Sequence, residues 1–511
     1  MCYEILLVPG PGHQIHKEKQ PPLRSTAARC ITYVLAGLGI AVFAISLWNS
    51  IGRNLDFPWT SIRLAPAFAL AHGYPLYPVA YLPSVLAHEP GSAVATATVL
   101  AHLFILVPAG LIFSLLGKRL AGGLPVHWLF FWLFFALVTH LAPSLVYVTA
   151  GVHADAPAFG LFLLACYAVL RAEGATVAGQ TRWLLAAGIA AGLSAACKLN
   201  LAAGMVALLV WTLRFFGWKR AAAFLCAGAL AALTVYSWAV LRDGLAPVLL
   251  NLGQPAKMPW FTFRDSELAS LSGSSHEFPE KLRTFLIFGR DYLKIYGAIA
   301  LAVILIGFFP RESAEPDRPR RLVWFFLFLS LFLLPASIAS ISKYGGDVNS
   351  RALVSLPLAL AALFALTSVV QRGHRGAIAA TYAALAGAIF MVALPLKDGW
   401  AKLSTTPTLV EAHAVISADP GRWYFPYDPL AHLLVEGKFR PNMDVVYSYA
   451  ASGFPVDESA FRSSLPENLR YVAIPPTVGE WGVGEIRRLL SDYSKPAPEL
   501  NSARHRVYSA R

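Results

Sequence analysis

Between residues 147 and 164 the chain reads YVTAGVHADAPAFGLFLL (Tyr147 to Leu164), with an imidazole at His153 and a carboxylate at Asp155 two residues apart among apolar neighbours. A charge at the middle of a bilayer costs roughly 2.5 to 3.5 kcal/mol on insertion scales. The fold therefore turns on whether the flanking apolar runs are membrane spans, and on which end of them this stretch occupies.

Composition answers the first part. Hydrophobic residues make up 56% of the 511 and charged residues only 14%, the mean hydropathy is +0.55, and several apolar runs reach the roughly 20 residues that span hydrocarbon. These features predict an α-helical polytopic membrane protein. The formal net charge of +13 falls in short clusters between apolar runs, a topological signal rather than a nucleic-acid surface. The five cysteines show neither metal-ligand spacing nor a disulfide framework.

About eleven transmembrane helices are expected, near 29–48, 93–116, 126–149, 155–171, 182–197, 200–216, 221–241, 291–309, 322–341, 352–370 and 377–395. The fourth and fifth are short, and Pro143 invites a break in the third. With residues 1–28 taken as a disordered cytoplasmic tail, every inside connection is basic: Lys118 and Arg119; Arg171 and Arg182; Lys219 and Arg220; Arg311, Arg318, Arg320 and Arg321; Arg372 and Arg375. That is the pattern of the positive-inside rule. It predicts a multi-pass plasma (inner) membrane protein with an extracytoplasmic C-terminus.

The same orientation delivers a long first outer loop (about 49–92), the His153 and Asp155 turn, Lys198, the loop 243–290 and the segment KYGGDVNSR (Lys343 to Arg351) to the outer face. Residues 29–396 form the membrane domain. Beyond 397 apolar runs shorten to strand length, as in RWYFPY (Arg422 to Tyr427) and LRYVAIPP (Leu469 to Pro476). DPLAHLLVEG (Asp428 to Gly437) reads as a helix with an aspartate N-cap, Pro429 at its first position and a terminating glycine. Residues 397–511 are thus expected to form a small extracytoplasmic α/β domain.

The outer-face polar residues have structural and chemical readings side by side. Asp56 and Asp155 each precede a proline by two residues and fit helix N-caps worth about 1 kcal/mol; a helix N-terminus also suits an anion. In KYGGDVNSR, Lys343 and Arg351 bracket Asp347 and Asn349 around two glycines. These cations either anchor helices at the headgroups or hold a phosphate, the Lys as a point charge and the Arg as a fork. Lys198, in ACKLN, is a candidate of the same kind. His72 and His102 read as packing or hydrogen-bonding residues.

Three segments together resemble a known family. LDFPWTSIRLAPAFALAHGYPLYPV (Leu55 to Val79) is similar to the first outer loop of C-type fold (GT-C) membrane glycosyltransferases of the polyprenol-dependent mannosyl- and arabinosyltransferase kind, with an acid, then a helix, then a G-x-x-L-Y turn at Gly73 to Tyr77. VHADAPAFGLFLLACYAVLRAE (Val152 to Glu173) and GLSAACKLNLAAGMVALLVWTL (Gly192 to Leu213) resemble two of their spans. The likeness covers about residues 30–400.

The resemblance implies a glycosyltransferase that moves a sugar from a polyprenyl-phosphate carrier to an acceptor hydroxyl of a glycan, lipid or protein at the outer face of the cell envelope. By family position Asp56 is the general base. Lys343 and Arg351 hold the donor phosphate, and His153, Asp155, Asp347, Asn349 and Lys198 bind substrate. No cofactor and no metal site are expected, since no acidic pair accompanies Asp56. The bilayer, the lipid-linked sugar and the acceptor are the expected partners, with no nucleic acid. The competing classes are a transporter or flippase, which usually keeps its ionisable groups near the midplane within internal repeats, and an inert membrane subunit.

Overall fold

Pro143 breaks the third span and sets the geometry of one end of the molecule. Helix Pro125–Ala136 runs into a π-helical turn, Leu137–Leu141, and Ala142, extended at φ −109° as the residue before a proline prefers, precedes a new helix at Pro143–Ala150. The two halves meet at 89°. The short second half is held by Ser144 Oγ, 2.9 Å from Ser355 Oγ.

The computed structural model describes residues 26–56, 60–62, 65, 89–116, 125–151, 154–263, 271–308, 318–343, 346, 348–371, 407–444, 446, 450, 452–453, 456–476, 488–502 and 504–510. In chain order the helices are α1 (Thr26–Asp56), α2 (Pro90–Ser114), α3 (Pro125–Ala136), α4 (Pro143–Ala150), α5 (Asp155–Ala172), α6 (Val177–Cys197), α7 (Ala202–Phe216), α8 (Trp218–Asp243), α9 (Leu245–Lys257), α10 (Phe278–Phe308), α11 (Arg318–Ser342) and α12 (Ala352–Gln371). A short hairpin, β1 (Trp260–Phe263) and β2 (Leu271–Ser275), separates α9 from α10.

Among the described residues six helical stretches are long and apolar enough to cross a membrane: Pro90–Ser114, Asp155–Ala172, Leu199–Phe216, Trp218–Asp243, Arg320–Ser342 and Val348–Val369; the bent pair makes a seventh if it counts as one span. Helices also occupy the expected positions 29–48, 182–197 and 291–309. The expected span 377–395 and the tail to residue 25 lie outside the described residues. Two expectations are corrected. The first helix runs on to Asp56 rather than ending near residue 48, and the fifth expected span begins a turn earlier, with Thr176 Oγ1 accepting from Gly179 N as its N-cap.

Close packing needs small residues, as is usual where helices meet in lipid. A Cβ on Gly192 of α6 would collide with the Gly228 carbonyl of α8, and one on Gly188 with the Phe224 carbonyl. The aromatic core of the bundle stacks Phe364 on Phe326 at 5.7 Å and tilts it against Phe113 at 5.2 Å. At the end of α5 away from Asp155, Glu173 takes Arg321 Nε at 3.0 Å and Trp211 Nε1 at 3.4 Å, joining α5, α7 and α11.

The C-terminal unit has helices α13 (Thr408–Ala418), α14 (Pro429–Glu436) and α15 (Glu458–Ser463) around a four-stranded sheet. Its strand order is β3 (Trp423–Tyr424), β4 (Tyr471–Ile474), β6 (Arg506–Ser509), β5 (Lys495–Pro496), parallel between the first two and antiparallel after that. The expected helix at α14 forms and ends on Gly437 in the left-handed region, φ +63°. Its expected cap does not: the Asp428 side chain makes no capping bond, because it turns to His505 Nε2 at 3.5 Å, while Ser61 Oγ accepts from Leu430 N at 3.1 Å in its place.

His505 is clamped between carboxylates, its Nδ1 lying 2.9 Å from Glu411. Burial by itself lowers an imidazole pKa, but the bonds to Asp428 and Glu411 override it and raise His505 to about 9. Burial pushes Asp428 up, whereas Glu411 ends below its ordinary value because its bonds to His505 and Ser502 outweigh its burial. His432, by contrast, is lowered by burial and accepts from Phe425 N at its Nε2, so it is neutral.

Two outcomes are expected. Gly192→Val forces α6 off α8 and lowers the thermal unfolding temperature in detergent, an overpacking cost of about 1 to 3 kcal/mol, while Gly297→Ala, whose new Cβ makes only an ordinary 3.7 Å contact, is tolerated. The stability that His505 contributes is complete below its unfolded pKa near 6.5 and is lost as pH rises through about 9. Thermal melts across that interval should fall in the wild type and fall less steeply in His505→Gln.

Candidate functional site

Asp155 sits in the first turn of α5 and is fully buried. It is not the helix cap, since Ala154 occupies that position and makes no side-chain capping bond. The carboxylate is engaged elsewhere: Lys198 Nζ forms an ion pair with Oδ1, and Asn349 Nδ2 donates to Oδ2 at 2.6 Å. An isolated buried carboxylate is very costly, and an ammonium, an amide donor and the positive end of α5 together offset that cost.

Each partner is placed by local structure. Lys198 is the residue at which α6 ends, extended at φ −148°, so the chain turns out of the helix just where the ammonium is needed. Ser194 Oγ donates to Ala158 O at 2.8 Å and pins that end of α6 to α5, and the Lys198 ammonium lies 5.9 Å over the Phe159 ring. Asn349 belongs to a 3-10 turn, Val348–Arg351, that leads into α12.

A ladder of hydroxyls fixes that turn. Asn200 Nδ2 donates to Ser340 Oγ at 2.6 Å, Ser340 Oγ lies 3.0 Å from Ser350 Oγ, Ser337 Oγ donates to Ser350 O at 2.7 Å, and Tyr292 OH meets Ser337 Oγ at 2.7 Å. The turn after α6, helix α11, the 3-10 turn and α10 are thereby linked around the site.

Arg351 does not stand open beside Lys343 as a second free cation. Its Nη2 donates to Asp291 Oδ2 at 2.7 Å, its guanidinium lies 5.9 Å over Tyr292, and its Nε is buried without a partner among the described residues. Lys343, half-buried and bridged through its backbone to Trp260, has no carboxylate partner among the described residues. Burial, with the facing Lys281 ammonium adding to it, holds its pKa below the usual lysine value.

Of the residues singled out from sequence, Asp155, Lys198 and Asn349 form one cluster, and Arg351 and Lys343 flank it on the same 3-10 turn and at the end of α11. His153, Asp347 and the side chain of Asp56 lie outside the described residues, as does His72. The backbone of Asp56 is placed: two residues earlier, Asn54 Nδ2 donates to Thr98 Oγ1 at 2.8 Å and to Ala150 O at 2.6 Å, which brings the end of α1 against the end of α4. His102 is a packing residue, with Nδ1 on Thr98 O at 2.8 Å. Among the described residues no three His, Cys, Asp or Glu side chains gather as a metal site.

Sequence reasoning passed over Asn54, Asn200, Lys281, Asp291 and the serines of α11. Asn54 and Asn200 lie within two residues of singled-out acids or lysines, and Asp291 follows an arginine at the start of an apolar run. Those positions were the available signals.

Breaking the buried pair should be worse than removing both charges. Asp155→Asn and Lys198→Gln each leave an unmatched partner and should each cost about 3 to 5 kcal/mol, whereas the double variant recovers much of that loss. A double-mutant cycle on thermal unfolding in detergent measures the coupling.

None of the known family models matches the chain, and no curated protein matches it. Among solved structures it is similar to the crystal structure of ArnT from Cupriavidus metallidurans in the apo state, at 13% sequence identity, over 95% of this chain and 98% of that one, with a TM-score of 0.40.

Proposed function

We propose that this protein is a membrane glycosyltransferase of the C-type fold, with about eleven spans, that moves a sugar from a polyprenyl-phosphate carrier to an acceptor hydroxyl at the outer face of the membrane. The observation that supports it is the gathering of Asp155, Lys198, Asn349, Arg351, Lys343 and the end of α1 at one end of the helical bundle. Basic connections at the opposite ends of the helices support an extracytoplasmic placement of this end, with the C-terminal unit on the same side. Carriers more often hold their charges near the midplane.

The lipid donor reaches the site laterally from the outer leaflet. Its phosphate is held by Lys343 at the end of α11, with the nearby Lys281 adding positive charge. Arg351, held by Asp291, lends charge to the same wall through its unpartnered Nε. Asp155 is tied to Lys198 and Asn349, so its oxygens are occupied; it organises the site and does not abstract a proton.

Asp56 is the general base. It takes the proton from the acceptor hydroxyl, the acceptor oxygen bonds to the anomeric carbon, and the carbon–oxygen bond to the carrier breaks with its electrons leaving on the polyprenyl phosphate. His153 and Asp347 complete the substrate contacts.

Membranes carrying the wild-type chain should transfer label from a radiolabelled polyprenyl-phosphate sugar to an acceptor. Asp56→Asn should reduce that transfer by about 10²- to 10⁴-fold, the usual contribution of a general base. Retained activity in Asp56→Asn removes Asp56 from the role, and vesicle uptake of the donor without transfer turns the reading to a carrier.

A further inference from the structure

The described residues that follow α1 pack into the C-terminal unit. Leu55, near the end of α1, packs against a cluster that holds Leu409, Ala412, Ile416 and Leu430 of that unit together with Ala65 and, from α2, Ala93, Val94 and Ala97. Ile62, 4% exposed, is part of the unit's second apolar cluster beside Tyr424, Tyr427 and Met443. Ser61, 1% exposed, supplies the hydrogen-bond acceptor for Leu430 N in the first turn of α14, from 369 residues away in sequence.

A helix N-terminus ordinarily takes its cap from the residue just before it. Here that residue, Asp428, is committed to His505, so α14 depends on Ser61. The end of α1 is therefore gripped from two sides: Asn54 by Thr98 and Ala150 of the bundle, and Leu55 with Ser61, Ile62 and Ala65 by the C-terminal unit.

We propose that the C-terminal unit is the positioning element for the end of α1, with Ser61 and Ile62 as positioning residues that act through Asp56; this rests on Asp56 being the base in the proposed function. The unit fixes the backbone that carries Asp56 and leaves the donor-phosphate wall, built from α10, α11 and the 3-10 turn, unaffected. Displacement of a reacting group by about 1 Å from a distant site is enough to cost up to 10²-fold in rate.

The test uses the full-length protein in lipid. Ser61→Ala removes the acceptor for Leu430 N, and Ser61→Thr keeps it. The expected result for Ser61→Ala is a fall in kcat of about 10- to 100-fold with an unchanged KM for the lipid-linked sugar, largely restored in Ser61→Thr. Ile62→Ala should act in the same direction. In an Asp56→Asn background Ser61→Ala should lower the residual rate no further, because both changes remove one contribution.

Hydrogen exchange of the amides at residues 53–56 provides a readout independent of activity, and it should speed up in Ser61→Ala. A Ser61→Ala chain with wild-type kcat and wild-type exchange overturns the proposal, as does an equal further loss of rate in the Asp56→Asn background. A wild-type chain that transfers no sugar sinks the proposed function instead; exchange at 53–56 then still decides whether the unit holds the end of α1.

Discussion

The ion pair between Asp155 and Lys198 is the constraint around which the described bundle is arranged. A carboxylate with no solvent exposure needs a cation and a further donor, and these come from three separate places: α5 supplies the acid, the end of α6 the ammonium, and the turn before α12 the amide of Asn349. Those elements must therefore meet at one height. The Gly188 and Gly192 contacts that let α6 lie close to α8, and the Ser194 bond to α5, bring the Lys198 backbone to that height.

The Pro143 break has a related effect. By ending one helix and starting another at 89°, it lets α4 run to Ala150, whose carbonyl receives Asn54, and lets Ser144 meet Ser355 on α12. The loss of regular helix there is offset by side-chain hydrogen bonds between spans, the usual compensation for broken backbone at membrane depth. Charge is segregated in the same way: Asp155 is fully buried and paired, while Lys343 and Lys281 have no carboxylate partner among the described residues.

The C-terminal unit stores charge for a different purpose. His505 between Glu411 and Asp428, and Arg440 with the nearly buried Glu436, whose pKa falls to about 2 because hydrogen bonds from His432 and Gly421 N overcome its burial, tie α13, α14 and the last strand together. Since α13 is also the helix that packs on the end of α1 and on α2, the network stiffens the surface that meets those two helices.

Much was legible from local patterns. Apolar run length located helices at every expected position from 29 to 370, Pro143 announced its break, and Gly437 announced the end of α14, because each depends on the residue and its near neighbours. That Asp155, Lys198, Lys343, Asn349 and Arg351 belong to one end of the bundle followed from alternating spans and basic connections. Which of them would touch did not follow. The pairing of Asp155 with Lys198 and Asn349, of Arg351 with Asp291, and the capping of α14 by Ser61 join residues 43 to 369 positions apart. Their partners are chosen by how helices cross and which buried groups must find a donor, and only the tertiary structure decides that.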